Sequence, residues 1–119
     1  DLMHKGEAVP VCTADTTMSA ALLTMTEKRF GCIGVVDGLG ALIGIVTDGD
    51  LSRHMGDELM HKTAFDIMTP GPKTIRPEAL AAEALGLMNA NKITCLFVTS
   101  DLQIHGILHV HDILRAGIA

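Results

Sequence analysis

The chain has 119 residues, 48% of them hydrophobic but only 3% aromatic, with 14 acidic against 9 basic side chains and a formal net charge of −5. That apolar fraction suits one compact domain or two very small ones, built on aliphatic side chains, alanine and seven methionines. The negative charge argues against sequence-independent binding to nucleic acid, which rests on an excess of Lys and Arg facing phosphates.

In chain order, a short strand is expected at Val9–Thr13, then a helix carrying Met18, Ala21, Leu22 and Met25 at a spacing that gives one apolar face. The apolar run through Cys32 and Val35 reads as a buried strand, closed by the turn Asp37-Gly38-Leu39-Gly40. GIVTDGDLSR, from Gly44 to Arg53, then passes from a strand straight into a helix start. Residues 56–62 form a link. Thr63-Ala64-Phe65-Asp66 has capping-box spacing, with Asp where Glu or Gln is usual, and predicts one helical turn before Pro70.

The same order then returns, which is the signature of a duplicated unit. A short strand is expected at Lys73–Arg76; Ala81, Ala84, Leu85 and Met88 repeat the first helix 63 positions on (18 to 81), and Cys95 and Val98 repeat Cys32 and Val35. GILHVHDILR, from Gly106 to Arg115, follows at an offset of 62 (44 to 106), so the turn at Ser100-Asp101-Leu102-Gln103 is one residue shorter than its counterpart. The expected architecture is α/β (α+β): two repeats, 1–56 and 57–119, each strand-helix-strand-strand-helix. Neither is large enough to be comfortable alone, so they should pack sheet to sheet about a pseudo-twofold axis.

No run of about 18 apolar residues is present to cross a membrane, and no basic segment followed by an apolar one opens the chain. Three cysteines offer no disulfide framework and point to a reducing, cytoplasmic setting. A first residue of Asp1 rather than Met reads as a piece of a longer protein.

Gly44-Ile45-Val46-Thr47-Asp48-Gly49-Asp50 has the order Gly, apolar, any residue, Thr or Ser, two residues, Asp, and so resembles the CBS (cystathionine-β-synthase) domain. Gly106-Ile107-Leu108-His109-Val110-His111-Asp112 fits the same pattern except that His109 stands at the hydroxyl position. The Asp-apolar-Met signature that leads into such a domain occurs twice, as Asp1-Leu2-Met3 and Asp66-Ile67-Met68. Over nearly its whole length, including DLMHKGEAVPV and MTPGPKTIRPEALAAEALGLMNANKIT, the chain is also similar to the C-terminal regulatory region of the arabinose-5-phosphate isomerase family. In that family the isomerase chemistry belongs to an N-terminal sugar-isomerase (SIS) domain, in a pathway that supplies 3-deoxy-octulosonate (Kdo) for Gram-negative lipopolysaccharide. The resemblance implies a regulatory pair with no catalytic residue of its own, acting on its SIS domain and dimerising with a second pair through its helices.

A strand ending at a helix start delivers free backbone N–H groups to one spot. Thr47 adds a hydroxyl there, and Asp50 can accept bonds from vicinal ribose hydroxyls. The resemblance implies ligand sites between the repeats. One combines Thr47 and Asp50 with Thr74, Ile75, Ile93 and Thr94; the other combines His109 and Asp112 with Val11, Cys12, Phe30 and Gly31. The first is favoured because its motif is intact, whereas His109 would need its charged form to replace the hydroxyl toward phosphate. Pathway logic makes CMP-Kdo a candidate regulatory ligand, and the family's commoner choice is AMP, ADP or ATP; no cofactor is required.

Simpler roles stand beside these. Thr47 can act only as an N-cap, and Asp50 and Asp112 only as helix-terminal carboxylates, contributing about 0.3–1 kcal/mol each. His105, His109 and His111 lack a Cys or carboxylate at ligand spacing to complete a metal set. Cys12, Cys32 and Cys95 read as small core hydrophobes. No nucleophile with a paired base stands out to suggest catalysis. The alternative to a nucleotide sensor is an oligomerisation module without ligand.

Overall fold

The computed structural model describes residues 2–56 and 58–117. Asp1, which begins the first leading signature, and Asp57, at the expected boundary between repeats, lie outside the described residues. The elements in order are β1 (Val11–Thr13), α1 (Met18–Lys28), β2 (Cys32–Val36), β3 (Leu42–Thr47), α2 (Asp48–Arg53), α3 (Ala64–Ile67), β4 (Thr69–Pro70), β5 (Thr74–Ile75), α4 (Ala81–Asn91), β6 (Cys95–Ser100), β7 (Gln103–His109) and α5 (Val110–Arg115). The mixed α/β class and the helix and hairpin order agree with the sequence. β1 is shorter than Val9–Thr13 because Pro10 has no N–H to give the ladder, although its carbonyl accepts from the Gly34 amide at 2.9 Å.

The strands form two sheets, β1-β2-β3-β4 and β5-β6-β7; each begins with a parallel pair and continues with an antiparallel hairpin. Both hairpins carry a register shift at the same place, between Val35 and Val36 and between Val98 and Thr99. Beyond it Val36 pairs with Leu42 and Thr99 with Ile104, so the second hairpin is shorter by one residue, as the repeat offsets require. At its tip Asp101 and Leu102 both have positive φ, the conformation of a tight two-residue hairpin turn.

The chain divides into two compact units, 10–72 and 1–9 with 73–119. They do not coincide with the repeated sequence, because the segment leading into each repeat folds onto the third strand of the other. In the unit 10–72, α1 buries Met18, Ala21 and Met25 against Ile33, Val35 and Val46, and Leu59, Ala64 and Ile67 from the linking segment close the core. In the other unit, α4 buries Ala84, Leu85 and Met88 against Ile75, Leu96, Val98 and Ile113. Each long side chain so buried contributes about 1.5–3 kcal/mol. These are the helix faces that the spacing of the methionines and alanines predicts; Cys32 and Cys95 are buried on β2 and β6, and Cys12 is half-buried.

Linking residues are held by backbone. The Met18 amide donates to the Lys62 carbonyl at 2.8 Å, the Ala64 amide to Thr16 at 2.8 Å and the Phe65 amide to Ala14 at 3.0 Å. Thr63 and Asp66 form the expected capping box in full, with Asp serving in the Glu position.

One steric condition permits the exchange of leading segments. β4 runs antiparallel to β3, with Thr69 opposite Ile45 and Pro70 opposite Gly44. In the other unit His4 pairs with Ile107, their amides and carbonyls bonded reciprocally at 2.8 and 2.9 Å. In both places the signature methionine lies across the motif glycine. A Cβ at Gly44 would collide with Met68 Sδ and sit 2.9 Å from its Cγ; one at Gly106 would meet the His4 carbonyl at 2.5 Å and Met3 Sδ at 2.8 Å. Gly44→Ala and Gly106→Ala should therefore each destabilise by about 1–3 kcal/mol, measured by urea unfolding. Gly106→Ala should also speed amide exchange at His4 and Ile107, because a backbone carbonyl cannot rotate aside. Protection unchanged at both amides would contradict this packing.

Candidate functional site

The two strand-to-helix junctions are built alike and finished differently. In the unit 10–72, β3 ends at Thr47, whose hydroxyl accepts from the Asp50 amide at 3.3 Å while the Asp50 carboxylate accepts from the Thr47 amide at 2.9 Å. This is a reciprocal capping box, so the capping roles expected of Thr47 and Asp50 are realised. The Thr47 hydroxyl also donates to Asp50 Oδ2 at 3.1 Å; Thr69 Oγ1 donates to Oδ1 at 2.7 Å, and Arg53 Nη2 binds the same oxygen. Two carboxylate oxygens with about four lone-pair sites thus receive four donors. Asp50 is only 3% exposed. Burial alone would raise its pKa, but the bonds from Thr69, the Thr47 amide, Arg53 and the Thr47 hydroxyl outweigh that and hold it below the ordinary carboxylate range.

In the other unit the hydroxyl position belongs to His109, which caps α5 through its ring: Nδ1 accepts from the His111 amide at 3.1 Å. Asp112 accepts from His4 Nε2 at 2.7 Å and from Arg115 Nη2. His4 follows Met3 as Thr69 follows Met68, so an imidazole replaces a hydroxyl on the aspartate as well as at the cap. Two donors leave acceptor capacity on Asp112, and its side chain is 15% exposed against 4% for Asp50. Burial pushes the Asp112 pKa up, but the His4 bond and the charges of His4, Arg115 and His109 hold it below the usual range. His109 moves the other way for a base: burial, then the neighbouring His111, lowers its pKa, against the pull of Asp112. Its charged form, which the sequence reading required for phosphate, therefore needs more acid than an ordinary histidine does. His109 and His111 stack with ring centroids 4.8 Å apart.

Each unit gathers its own set of the expected site residues. Val11 and Cys12 lie on β1 opposite Gly34 and Val35, Cys32 pairs with Thr47, and a Cβ on Gly31 would come within 3.4 Å of Asp48 Oδ2. Phe30, half-buried, precedes Gly31, so these four residues accompany Thr47 and Asp50. In the other unit Thr74 and Ile75 form β5 beside Phe97 and Val98, Cys95 pairs with His109, and the Val110 amide donates to the Thr94 carbonyl at 2.8 Å. Thr74, Ile75, Ile93 and Thr94 lie in the same compact unit as His109 and Asp112, whereas the resemblance groups them with Thr47 and Asp50 in a site between the repeats.

That second unit also holds a cavity of 390 Å³, within the range of small-molecule sites, opening into its core between β5 to β7 and the start of α4. Met3, Ile75, Arg76, Ala84, Val98 and Leu108 are among its walls. Four residues here escaped the sequence reading. His4 and Thr69 share the position after the signature methionine, which aligning the repeats there would have found; Arg53 and Arg115 share the position three after the motif aspartate, where the repeats do align but alignment alone assigns no partner. Among the described residues no cluster of three or more His, Cys, Asp or Glu has metal-site geometry, and no helix is long and apolar enough to cross a membrane.

The family model for the CBS domain matches residues 1–57 and again 64–119. Arabinose 5-phosphate isomerase KdsD of Pseudomonas aeruginosa is 45% identical over 121 residues, covering 99% of this chain and 37% of that protein. KdsD of Escherichia coli K12 is 40% identical over 120 residues with the same coverage. The chain thus spans little more than a third of the length of these curated relatives. Among solved structures, the CBS-pair protein CBSX2 from Arabidopsis thaliana superposes with a TM-score of 0.84 at 27% identity, covering 99% of this chain and 92% of that one. CBSX2 in complex with AMP gives 0.84 at 28%, covering 99% and 93%.

The depressed Asp50 pKa fixes the sign of a pH effect. The unfolded value is about 3.9, so the stabilisation is complete above about pH 4 and is lost as pH falls through the folded value. Asp50→Asn should cost about 1–3 kcal/mol at pH 7, and the gap to wild type should shrink by pH 3. Urea unfolding at both values checks this; an equal deficit at both would contradict it.

Proposed function

Since the chain belongs to the CBS domain family and carries that domain twice, we propose that it is a nucleotide-binding regulatory pair whose occupancy controls an arabinose-5-phosphate isomerase. Identity of 40–45% to KdsD along the chain supports the enzyme assignment. On this reading, the pair acts in the cytoplasm of a Gram-negative bacterium, within Kdo and lipopolysaccharide synthesis. It signals to the SIS domain of its own full-length chain and works as a homodimer.

The observation that carries the binding reading is the junction of the second unit. Asp112 keeps acceptor capacity, and the same unit holds the 390 Å³ cavity, with Ile75 of β5 and Leu108 of β7 among its walls. We place the ligand there, with Thr74, Ile75, Ile93 and Thr94 around the base and Asp112 and His109 toward the sugar. Thr47 and Asp50, with Val11, Cys12, Phe30 and Gly31, form the corresponding second site, and a ligand there must first displace a donor from the filled carboxylate. AMP, bound by the 28%-identical CBSX2, is the first ligand to try. ADP and ATP share its nucleoside, and CMP-Kdo is the feedback candidate from the pathway's chemistry.

The competing reading, an oligomerisation plate without ligand, draws on exposed apolar side chains such as Leu23 and Leu80, each about three-quarters exposed. Thermal unfolding against AMP, ADP, ATP, CMP and CMP-Kdo separates the two. A ligand at 100 times its Kd adds about 2.7 kcal/mol. Asp112→Ala should abolish the rise, while Asp50→Ala, though less stable, should keep most of it. No rise with any nucleotide at millimolar concentration would favour the oligomerisation module.

A further inference from the structure

The cavity of the second unit carries a feature that neither the repeat nor the capping motif explains. Arg76 lines it, and its guanidinium is held in a two-point pair by Glu83: Nη1 to Oε2 at 2.8 Å and Nη2 to Oε1 at 3.0 Å. Arg76 follows β5, and Glu83 stands in the first turn of α4. Both side chains are about half exposed, 59% and 47%. The positions 63 residues earlier hold Thr13 and Ala20, so the pair belongs to this unit alone and is not needed to build the fold.

The walls beside Arg76 are apolar, formed in part by Met3, Ile75, Ala84, Val98 and Leu108. A planar guanidinium at the open edge of such a space matches a phosphate or carboxylate in two-point geometry. Glu83 now occupies that fork with the same geometry an anionic ligand would use. Exposed pairs of this kind contribute little stability, so exchanging one anion for another is feasible.

We propose that Arg76 is the anion-recognition residue of this cavity and that Glu83 is its built-in competitor. A ligand with a nucleoside-sized body and a phosphate group would take the guanidinium from Glu83, and Glu83 would thereby set the affinity threshold of the site. The inference rests on the cavity being the ligand site proposed above. It adds that phosphate recognition comes from Arg76 and not from His109, whose ring nitrogen already caps α5.

Calorimetric titration with AMP and adenosine, and with CMP-Kdo and cytidine, tests it on wild type, Glu83→Gln, Arg76→Gln and Arg76→Lys. Unliganded melting midpoints confirm that each variant folds. Glu83→Gln should tighten binding of AMP or CMP-Kdo by roughly two- to fivefold, the size of an exposed ion pair, and leave the neutral nucleosides unchanged. Arg76→Gln should weaken the phosphate-bearing ligand about tenfold, to the level of its nucleoside, with Arg76→Lys between. Nucleotide binding that is unchanged or weakened in Glu83→Gln, or indifferent to Arg76→Gln, overturns the inference and leaves the binding reading standing. No binding of either nucleotide to wild type or Glu83→Gln overturns both.

Discussion

The fold depends on two methionines lying across two glycines. At Gly44 and Gly106 the absence of a side chain lets Met68 and Met3 approach a β-strand closely enough for the following residue to join its ladder. That ladder brings Thr69 onto Asp50 and His4 onto Asp112. The glycine and aspartate of the motif and the methionine of the leading signature are therefore parts of one device. Each is far from its partner in sequence, and each is required by sterics or by hydrogen bonding rather than by helix or strand propensity.

The same device yields two different junctions. With hydroxyls at positions 47 and 69 the aspartate is buried and filled by donors, which favours a rigid strand-to-helix corner. With imidazoles at positions 4 and 109 the aspartate is more exposed and accepts fewer bonds. A buried carboxylate that already has its donors gains little by exchanging them for ribose hydroxyls, whereas a partly exposed one with spare acceptors can add them. The intact motif thus serves structure most strongly, and the substituted one lies in the unit that holds the cavity. Our proposal therefore differs from the preference that motif completeness alone suggests.

Much of the architecture was legible in the residues. The spacing of Met18, Ala21 and Met25 and of Ala84, Leu85 and Met88 marked the buried helix faces, and the change of offset from 63 to 62 located a one-residue difference between hairpins. Such features are local, and periodicity records them. Two leading signatures of one pattern, by contrast, carry nothing local to say which third strand each one joins. The bond between His4 and Asp112 spans 108 positions, and only tertiary packing decides it. For the same reason the residues that the resemblance groups into one site fall in different compact units. Arg76 and Glu83 were missed because their seven-residue spacing crosses a loop and a helix start, where no single helical or strand period applies.

The most direct test of the central claim, a nucleotide site within the second unit, is a map of backbone amide chemical shifts as AMP or CMP-Kdo is added to the labelled chain. Binding there predicts the largest changes at Thr74 to Arg76, at Ile93 and Thr94 and at His109 to Asp112, with smaller ones at Thr47 to Asp50. Saturable changes centred on Thr47 to Asp50, or none anywhere at millimolar ligand, would contradict it.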